Sequence, residues 1–112
     1  MDVGVIVPTR GEVHLVTLNP TRGQEIQKTR PGVVVSPDEL NAHLGTVLVA
    51  PMTTGGHPYP FRVRCRFQDR EGFVVLDQVR AVDRSRLARR LGELPEEVLR
   101  EALAVLREMF EE

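Results

Sequence analysis

The segment FRVRCRF, from Phe61 to Phe67, alternates apolar and arginine side chains without a break. Successive side chains of a β-strand point to opposite faces, so this period of two predicts a strand with one apolar and one basic face. The apolar set is Phe61, Val63, Cys65 and Phe67, and the basic set is Arg62, Arg64 and Arg66. We therefore expect a sheet that buries the apolar set, with Phe61 in the core.

Other segments also have strand character, because they are rich in β-branched residues and bounded by turn residues. They are Glu12–Leu18, Gly32–Ser36, Gly45–Thr54 and Gly72–Val82, the last bending near Gln78 into a sixth strand. Five or more short strands separated by turns predict a small, partly closed antiparallel barrel.

Two helices are predicted after the strands. The first runs from a cap at Asp83 or Ser85 to Gly92. The second has Pro95 in its first turn and a broad apolar stripe on one side. That stripe packs on the barrel in the simpler interpretation, and its width leaves a subunit interface open. We expect one domain over residues 1–112, with the barrel at about 10–83 and the C-terminal helices at about 84–112.

Composition narrows the class of protein. No apolar run approaches the roughly 20 residues that span a bilayer, and the opening MDVGVIVP lacks the basic region of a secretory signal. The single cysteine, Cys65, excludes an internal disulfide, fits a reducing cytoplasm and is expected to be buried. Net charge is −1, yet the first 92 residues hold 13 of 15 basic and 9 of 16 acidic residues, a net of +4. Such asymmetry can steer a polyanion to one part of the molecule.

The segment LNPTRGQEIQKTRPGVVVS, Leu18–Ser36, is the most unusual in the chain. It places Arg22, Glu25, Lys28 and Arg30 in a loop marked by glycine and proline. A connecting loop needs no such concentration of acid and base. Either it is a solvated surface loop, or it presents reactive groups at the edge of the scaffold.

Five motifs in order decide between these interpretations. They are RGEV at Arg10–Val13, LNPTRGQE at Leu18–Glu25, TRPGVVVS at Thr29–Ser36, VAPMTT at Val49–Thr54 and VLDQVRAVD at Val75–Asp83. Together with the final LPEEVLREALAVL, this order resembles the MazF/PemK/Kid toxin family over nearly the whole chain. The resemblance implies an SH3-like antiparallel barrel with C-terminal helices.

The resemblance also implies a function. Members of this family are homodimeric, metal-independent endoribonucleases of toxin–antitoxin pairs, which cut single-stranded RNA, including mRNA, at short sequences. The RNA 2′-hydroxyl is the nucleophile, and the products are a 2′,3′-cyclic phosphate and a 5′-hydroxyl. A cognate antitoxin would lay its C-terminal segment along the RNA groove. We accordingly expect a bacterial cytoplasmic enzyme with no cofactor, no metal and no membrane association.

Residue roles follow from the same resemblance. Glu25 corresponds to the family's general base, Arg30 to its phosphate-facing arginine and Thr53 to a threonine that bonds the scissile phosphate. Since arginine loses its proton only above a pH of about 12, stabilisation of charge is the better role for Arg30 than proton donation. The expected RNA-binding residues are Arg22, Gln24, Lys28, Thr54, Tyr59, Gln78 and Arg80.

One branch of the family uses a histidine before the glutamate and an Arg-x-Asp motif. Here those positions hold Gln24 and Val75, and only Asp77 remains, so we expect Asp77 to be structural and to hold the basic loop. The three histidines, His14, His43 and His57, lie outside the matched motifs, lack metal-ligand spacing and are not expected to be catalytic.

Other interpretations remain open from the residues alone. The arginines of Phe61–Phe67, and those between Arg84 and Arg90, are either solvated surfaces or phosphate contacts. A non-catalytic binding module on the same scaffold would lose little when Glu25 is replaced. A gyrase-poisoning toxin of the CcdB type is disfavoured, because that type relies on a tryptophan-containing C-terminus and this chain has no tryptophan.

Overall fold

The computed structural model describes residues 7–26 and 28–112. Residues 1–6 of the opening MDVGVIVP, which was expected to be no secretory signal, therefore lie outside the described residues. The strands are β1 (Glu12–Thr17), β2 (Thr29–Val34), β3 (Thr46–Thr54), β4 (Arg62–Phe67), β5 (Arg70–Val75), β6 (Arg80–Asp83) and β7 (Leu87–Glu93). The helices are α1 (Asp38–His43) and α2 (Glu96–Met109), and 3₁₀ turns occupy Leu76–Gln78 and Arg84–Arg86.

The strands form one antiparallel sheet in the order β4-β5-β3-β2-β1-β7, and β6 pairs with β3 outside this order. The long strand β3 joins its two halves: Thr46–Val49 pairs with β6, and Met52–Thr54 pairs with β5. The predicted fold class, a mainly β barrel-like antiparallel sheet followed by C-terminal helix, is confirmed, although the sheet does not close.

Strand β2 begins three residues earlier than predicted and contains Pro31. Proline cannot donate a ladder hydrogen bond, so it is tolerated only where one side of a strand is unpaired. That condition holds here: Pro31 faces Leu15 of β1, whereas pairing with β3 starts at Gly32. Arg30 thus lies within β2, and its pairing with Val16 of β1 fixes the position of its backbone.

The face prediction for β4 is confirmed except at Phe61. Val63 and Cys65 are buried, and the arginines lie on the other face. Phe61 precedes the strand with a φ of 65° and is 41% exposed, so its predicted core position is wrong. The left-handed backbone turns its side chain away from the sheet face that the alternation implied.

The predicted helix from Asp83 to Gly92 is also wrong. Asp83 does act as a cap, accepting a hydrogen bond from the Ser85 N–H at 2.9 Å, but it caps only the 3₁₀ turn Arg84–Arg86. The chain then enters β7, which pairs antiparallel with β1 and covers its open edge. Pairing of that edge outweighs the helix propensity of a segment rich in Leu, Ala and Arg.

Helix α2 matches the second predicted helix, with Pro95 as its N-cap. Its apolar residues pack on the larger of two core clusters, which includes Val33, Met52 and Val74 of the sheet. The smaller cluster includes Val16, Val47 and Val82 and lies under the loop after β1. The short helix α1 was not predicted, although the sequence Pro37-Asp38-Glu39 is typical of a helix start.

Among the described residues, no helix is long and apolar enough to cross a membrane.

Candidate functional site

A cleft of about 480 Å³ lies where β3 ends beside the loop that precedes β2. Its lining includes Glu25 from that loop, Arg30 from β2 and Thr53 from β3. The structure thus brings together the three predicted catalytic residues from separate segments of the chain. The other polar residues of this candidate cleft are Lys28, Thr54, His57 and Arg62.

The carboxylate of Glu25 is positioned by a tight turn of its own loop. Its Oε1 accepts a hydrogen bond from the Arg22 backbone N–H at 2.6 Å, and the Glu25 N–H donates to the Arg22 carbonyl at 3.0 Å. Both side chains are exposed. The turn therefore holds Glu25 at the cleft without burying it.

The ends of this loop are joined to each other. The Leu18 N–H donates to the Lys28 carbonyl, and the Asn19 Oδ1 accepts from the Lys28 N–H, both at 3.1 Å. Two arginines brace the same backbone from outside. Arg80 donates to the Leu18 carbonyl at 3.0 Å, and Arg86 donates to the carbonyls of Thr17 and Asn19.

The 3₁₀ turn Leu76–Gln78 contacts two walls of the candidate cleft. The Gln78 Oε1 accepts from the Ile26 N–H at 2.8 Å, and its Nε2 donates to the Gln24 carbonyl at 3.4 Å, so it holds both neighbours of Glu25. Asp77 accepts two hydrogen bonds from Arg62, at 3.0 and 3.1 Å. These hydrogen bonds raise the pKa of the Arg62 guanidinium.

Thr53 is positioned by a close approach of two strands. It faces Phe73 in the β3–β5 ladder, and the neighbouring Gly72 faces Thr54. A Cβ placed on Gly72 would lie 1.6 Å from the Thr53 carbonyl oxygen. Only glycine fits there, so Gly72 permits the backbone position that presents Thr53 to the cleft.

Nearly the whole chain resembles a known family of proteins. Residues 9–110 match the family model described as the PemK-like, MazF-like toxin of type II toxin–antitoxin systems. The chain belongs to this family. The predicted family membership is therefore confirmed.

Individual relatives agree with the family match. Endoribonuclease toxin MazF of Escherichia coli (strain K12) is 39% identical over 94 residues, covering 82% of this chain and 85% of that protein. The crystal structure of MazF (Form-I) from Deinococcus radiodurans superposes with a TM-score of 0.83 at 33% identity, covering 94% of this chain and 97% of that one. The MazE–MazF (Form-II) structure from the same organism gives 0.76 at 30% identity, with coverages of 94% and 96%.

The predicted RNA-binding residues of this family member divide into three groups. Lys28 and Thr54 line the candidate cleft. Gln24, Gln78 and Arg80 line an adjoining cleft of about 510 Å³, which also includes Glu25. Arg22 and Tyr59 are exposed outside the candidate cleft, and the Arg62 guanidinium lies 4.9 Å from the centre of the Tyr59 ring.

Two polar residues of the cleft had no strong signal in the sequence. His57 lies outside the matched motifs, yet it lines the same cleft as Thr53. Arg62 was counted with the arginine face of β4, but its pairing with Asp77 turns it to the cleft. Asp77 was expected to hold the basic loop. Its ion pair is instead with Arg62, the first residue of β4.

Two further side chains singled out in the sequence, those of His14 and Cys65, are buried. The Nε2 of His14 lies 3.1 Å from Oε1 of Glu12. Cys65 is buried as predicted, and burial raises the pKa of its thiol. Within the described part of the chain, no three His, Cys, Asp or Glu side chains are grouped as metal ligands would be.

Proposed function

We propose that this protein is the endoribonuclease of a type II toxin–antitoxin pair, and that it cuts single-stranded RNA, including mRNA, without a metal ion. The observation that carries the proposal is the convergence of Glu25, Arg30 and Thr53 on one open cleft. The named endoribonuclease MazF of Escherichia coli, at 39% identity, supports the same enzyme class.

In the proposed reaction, the RNA supplies its own nucleophile. Glu25 accepts the proton of a 2′-hydroxyl, and the 2′-oxygen attacks the adjacent phosphorus. The bond from phosphorus to the 5′-oxygen then breaks, and that oxygen takes a proton. The products are a 2′,3′-cyclic phosphate and a 5′-hydroxyl, and no water is consumed. Glu25 suits the first step because it is exposed at the end of a braced loop, where a substrate hydroxyl can reach it.

When the 2′-oxygen attacks, the phosphorus becomes five-coordinate and its oxygens gain negative charge. Hydrogen-bond donors and cations stabilise that charge best when their positions are fixed before the substrate binds. Arg30 on β2 and Thr53 on β3 are both carried by sheet strands, so their backbones are positioned before the substrate binds. Lys28 adds a second cation at the same place. Arg62 is a third, but its guanidinium is already engaged by Asp77.

The leaving 5′-oxygen needs a proton donor. Guanidinium groups release a proton only above a pH of about 12, so Arg30 and Arg62 are poor acids. Histidine is the side chain best suited to donate a proton near neutral pH. Because His57 lines the candidate cleft beside Thr53, we assign it this step. This assignment replaces the expectation that no histidine takes part.

The partners follow from the family. A cognate antitoxin would cover the clefts with its C-terminal segment, and the enzyme would act as a cytoplasmic homodimer in a bacterium. Support for an antitoxin comes from the MazE–MazF structure of Deinococcus radiodurans, which resembles this chain at a TM-score of 0.76. The net charge of +4 over the first 92 residues suits both an acidic antitoxin segment and RNA.

The test of this function is a cleavage assay in EDTA with a long single-stranded RNA. We expect cuts at a recurring short sequence and 5′-hydroxyl ends. A substrate with a single 2′-deoxynucleotide at one mapped site should be spared at that site alone. Intact RNA, cleavage that needs a divalent cation, or cleavage at the deoxy position would overturn the proposal.

A further inference from the structure

The tetrapeptide PTRG occurs twice in the chain, at Pro8–Gly11 and Pro20–Gly23. A glutamate follows each copy: Glu12 comes directly after the first, and Glu25 lies two residues after the second. Because the sequences beyond the two copies differ, the sequence alone predicts two unrelated turns ahead of different elements. In the structure, however, both copies lead into the same kind of turn.

The first turn spans Thr9–Glu12 and is built into the fold. The Glu12 N–H donates to the Thr9 carbonyl at 3.1 Å, and the Thr9 N–H donates to Oε1 of Glu12 at 3.0 Å. The glutamate thus folds back onto the first residue of its own turn, in the way the glutamate of a helix capping box does. Both of its oxygens are engaged, because Oε1 also lies 3.1 Å from Nε2 of His14 and Oε2 accepts from Arg90 at 3.1 Å.

The second turn spans Arg22–Glu25 and repeats this pattern at the candidate cleft. The Glu25 N–H donates to the Arg22 carbonyl at 3.0 Å, and the Arg22 N–H donates to Oε1 of Glu25 at 2.6 Å. Within residues 7–26 and 28–112, Oε2 of Glu25 accepts no hydrogen bond, and the residue is exposed. The second turn therefore holds one carboxylate oxygen and leaves the other available to a substrate.

Each turn contains a glycine in the left-handed region of backbone conformation. The angle φ is 95° at Gly11 and 56° at Gly23. A Cβ at Gly11 would also lie 2.9 Å from Cδ2 of Leu99 on α2, whereas nothing lies within 4 Å of a Cβ at Gly23. Since a side chain at residue 23 has open space, the requirement for glycine there comes from its φ alone.

We propose that Gly23 is a positioning residue for the general base. Its left-handed backbone closes the Arg22–Glu25 turn, the turn holds Oε1 of Glu25, and Oε2 takes the proton of the RNA 2′-hydroxyl. The 2′-oxygen keeps the electron pair with which it attacks phosphorus. The proposal rests on the proposed function and names the oxygen of Glu25 that acts in it.

The hydrogen bond to Oε1 matters because Glu25 is exposed. An exposed glutamate side chain samples several rotamers, and only some of them would direct Oε2 to a bound hydroxyl. Anchoring Oε1 to the Arg22 N–H removes much of this freedom before the substrate arrives. A misplacement of about 1 Å can cost roughly a hundredfold in rate, so a turn that fixes the base contributes directly to cleavage.

Two substitutions of Gly23 separate backbone conformation from the presence of a side chain. Valine is branched at Cβ and rarely adopts a positive φ, whereas asparagine adopts it readily. We expect Gly23→Val to lower the single-turnover cleavage rate at least about tenfold. Gly23→Asn should stay within about threefold of wild type. Gly45→Val is the control and should cut like wild type, because Gly45 also has open space but no positive φ.

Two further measurements show whether Gly23 acts through Glu25. Affinity for an RNA with a 2′-deoxynucleotide at the cleavage site should be the same in Gly23→Val as in wild type, because the base does not hold the substrate. In a Glu25→Gln background, Gly23→Val should cause little further loss of rate, since the base is already absent. Amide hydrogen exchange at Arg22 reports the turn itself. It should be faster in Gly23→Val and in Glu25→Ala, and close to wild type in Gly23→Asn.

Several results would overturn the proposal. They are wild-type rates in Gly23→Val, equal losses in Gly23→Val and Gly23→Asn, and the same loss from Gly23→Val with and without the Glu25 carboxylate. Unchanged exchange at Arg22 in Gly23→Val would also overturn it. Intact RNA with the wild-type protein would instead contradict the proposed function. Exchange at Arg22 would then still show whether Gly23 holds the turn.

Discussion

Gly72 sets how closely β5 approaches Thr53, and it provides a sharp test of that contact. Gly72→Ala would place a methyl group 1.6 Å from the Thr53 carbonyl oxygen, so β3 must shift. We expect a loss of more than about 2 kcal/mol in the free energy of unfolding, together with a loss of RNA cleavage. Chemical denaturation measures the first quantity. Gly45→Ala is the control, because nothing lies within 4 Å of a Cβ there. Similar stabilities for the two variants would show that the strands are not in tight contact.

Replacement of His57 tests its assignment as the proton donor. The other charged groups of the cleft are Glu25, Lys28, Arg30 and Arg62. We expect His57→Gln to lower the single-turnover rate at least tenfold, because the leaving 5′-oxygen would lose its proton donor. His43→Gln on α1 should leave the rate unchanged.

A modified substrate separates proton donation from binding by His57. When sulfur replaces the bridging 5′-oxygen, the leaving group needs no proton. The His57→Gln variant should then cut at nearly the wild-type rate. A defect of the same size on both substrates would assign His57 to positioning or binding instead.

At the scale of single residues, the sequence predicted burial correctly where a short-range pattern determines it. Alternation along β4 correctly placed Cys65 in the core, and the motif order brought attention to Glu25, Arg30 and Thr53. Phe61 was wrongly predicted to be in the core because nothing in the sequence indicates its positive φ, which bulky residues rarely adopt. His57 was missed because its position depends on how the loop after β3 folds over the cleft, which no local pattern records.

At the scale of elements, the turn Leu76–Gln78 links the loop that carries Glu25 to strand β4. Substitution of Gln78 tests this link. Gln78→Met removes both hydrogen bonds to the loop, whereas Gln78→Glu keeps the acceptor for the Ile26 N–H and loses the donor to Gln24. We expect kcat to fall about tenfold in Gln78→Met, less in Gln78→Glu, with KM changed little.

Amide hydrogen exchange at Ile26 should rise in the same order as kcat falls. Such a correlation identifies Gln78 as a positioning residue for Glu25. If KM rises while exchange at Ile26 stays slow, Gln78 binds RNA directly, as the family resemblance first suggested.

The junction of β1 and β7 predicts how stability depends on pH. Burial opposes ionisation of Glu12, but hydrogen bonds from Thr9, His14 and Arg90 outweigh it and lower the pKa from 4.5 to about 2. The stabilisation is complete above pH 4.5 and is lost as the pH falls toward 2. It amounts to roughly 3 kcal/mol. Glu12→Gln should remove most of this dependence in denaturation measured from pH 6 to 2; an unchanged profile would contradict the assignment.

Strand β7 shows why elements were only partly predictable. Its sequence, LARRLGE, has good helix formers and no β-branched residue, so local propensity favours a helix. Its conformation is decided by the open edge of β1, about 75 residues away along the chain. The strands with β-branched or alternating patterns were predicted because their local preference agrees with the sheet.

Across the whole molecule, positive and negative charges are segregated, although the net charge is close to zero. Lys28, Arg30, Arg70 and Arg89 line one cleft of about 500 Å³, whereas most of the seven glutamates after residue 92 lie on α2 or beyond it. A net charge of −1 conceals this asymmetry, and only folding reveals that cations distant in sequence share one surface. The fold class was predictable because five local motifs, in order, resemble a known family. The catalytic roles of Glu25, Arg30 and Thr53 are predictions from the same resemblance. The cleft that contains Arg70 and Arg89 was not predictable, because residues of several strands distant in sequence line it.

The most direct test of the account is single-turnover cleavage of a single-stranded RNA in EDTA by wild type, Glu25→Gln and Arg30→Ala, with Arg100→Gln as the control. We predict rates at least about a hundredfold below wild type for the first two variants, since a general base and a fixed cation each contribute at least that much. The control should cut like wild type. If Glu25→Gln and Arg30→Ala cut within threefold of wild type, the candidate cleft is not where the RNA is cleaved.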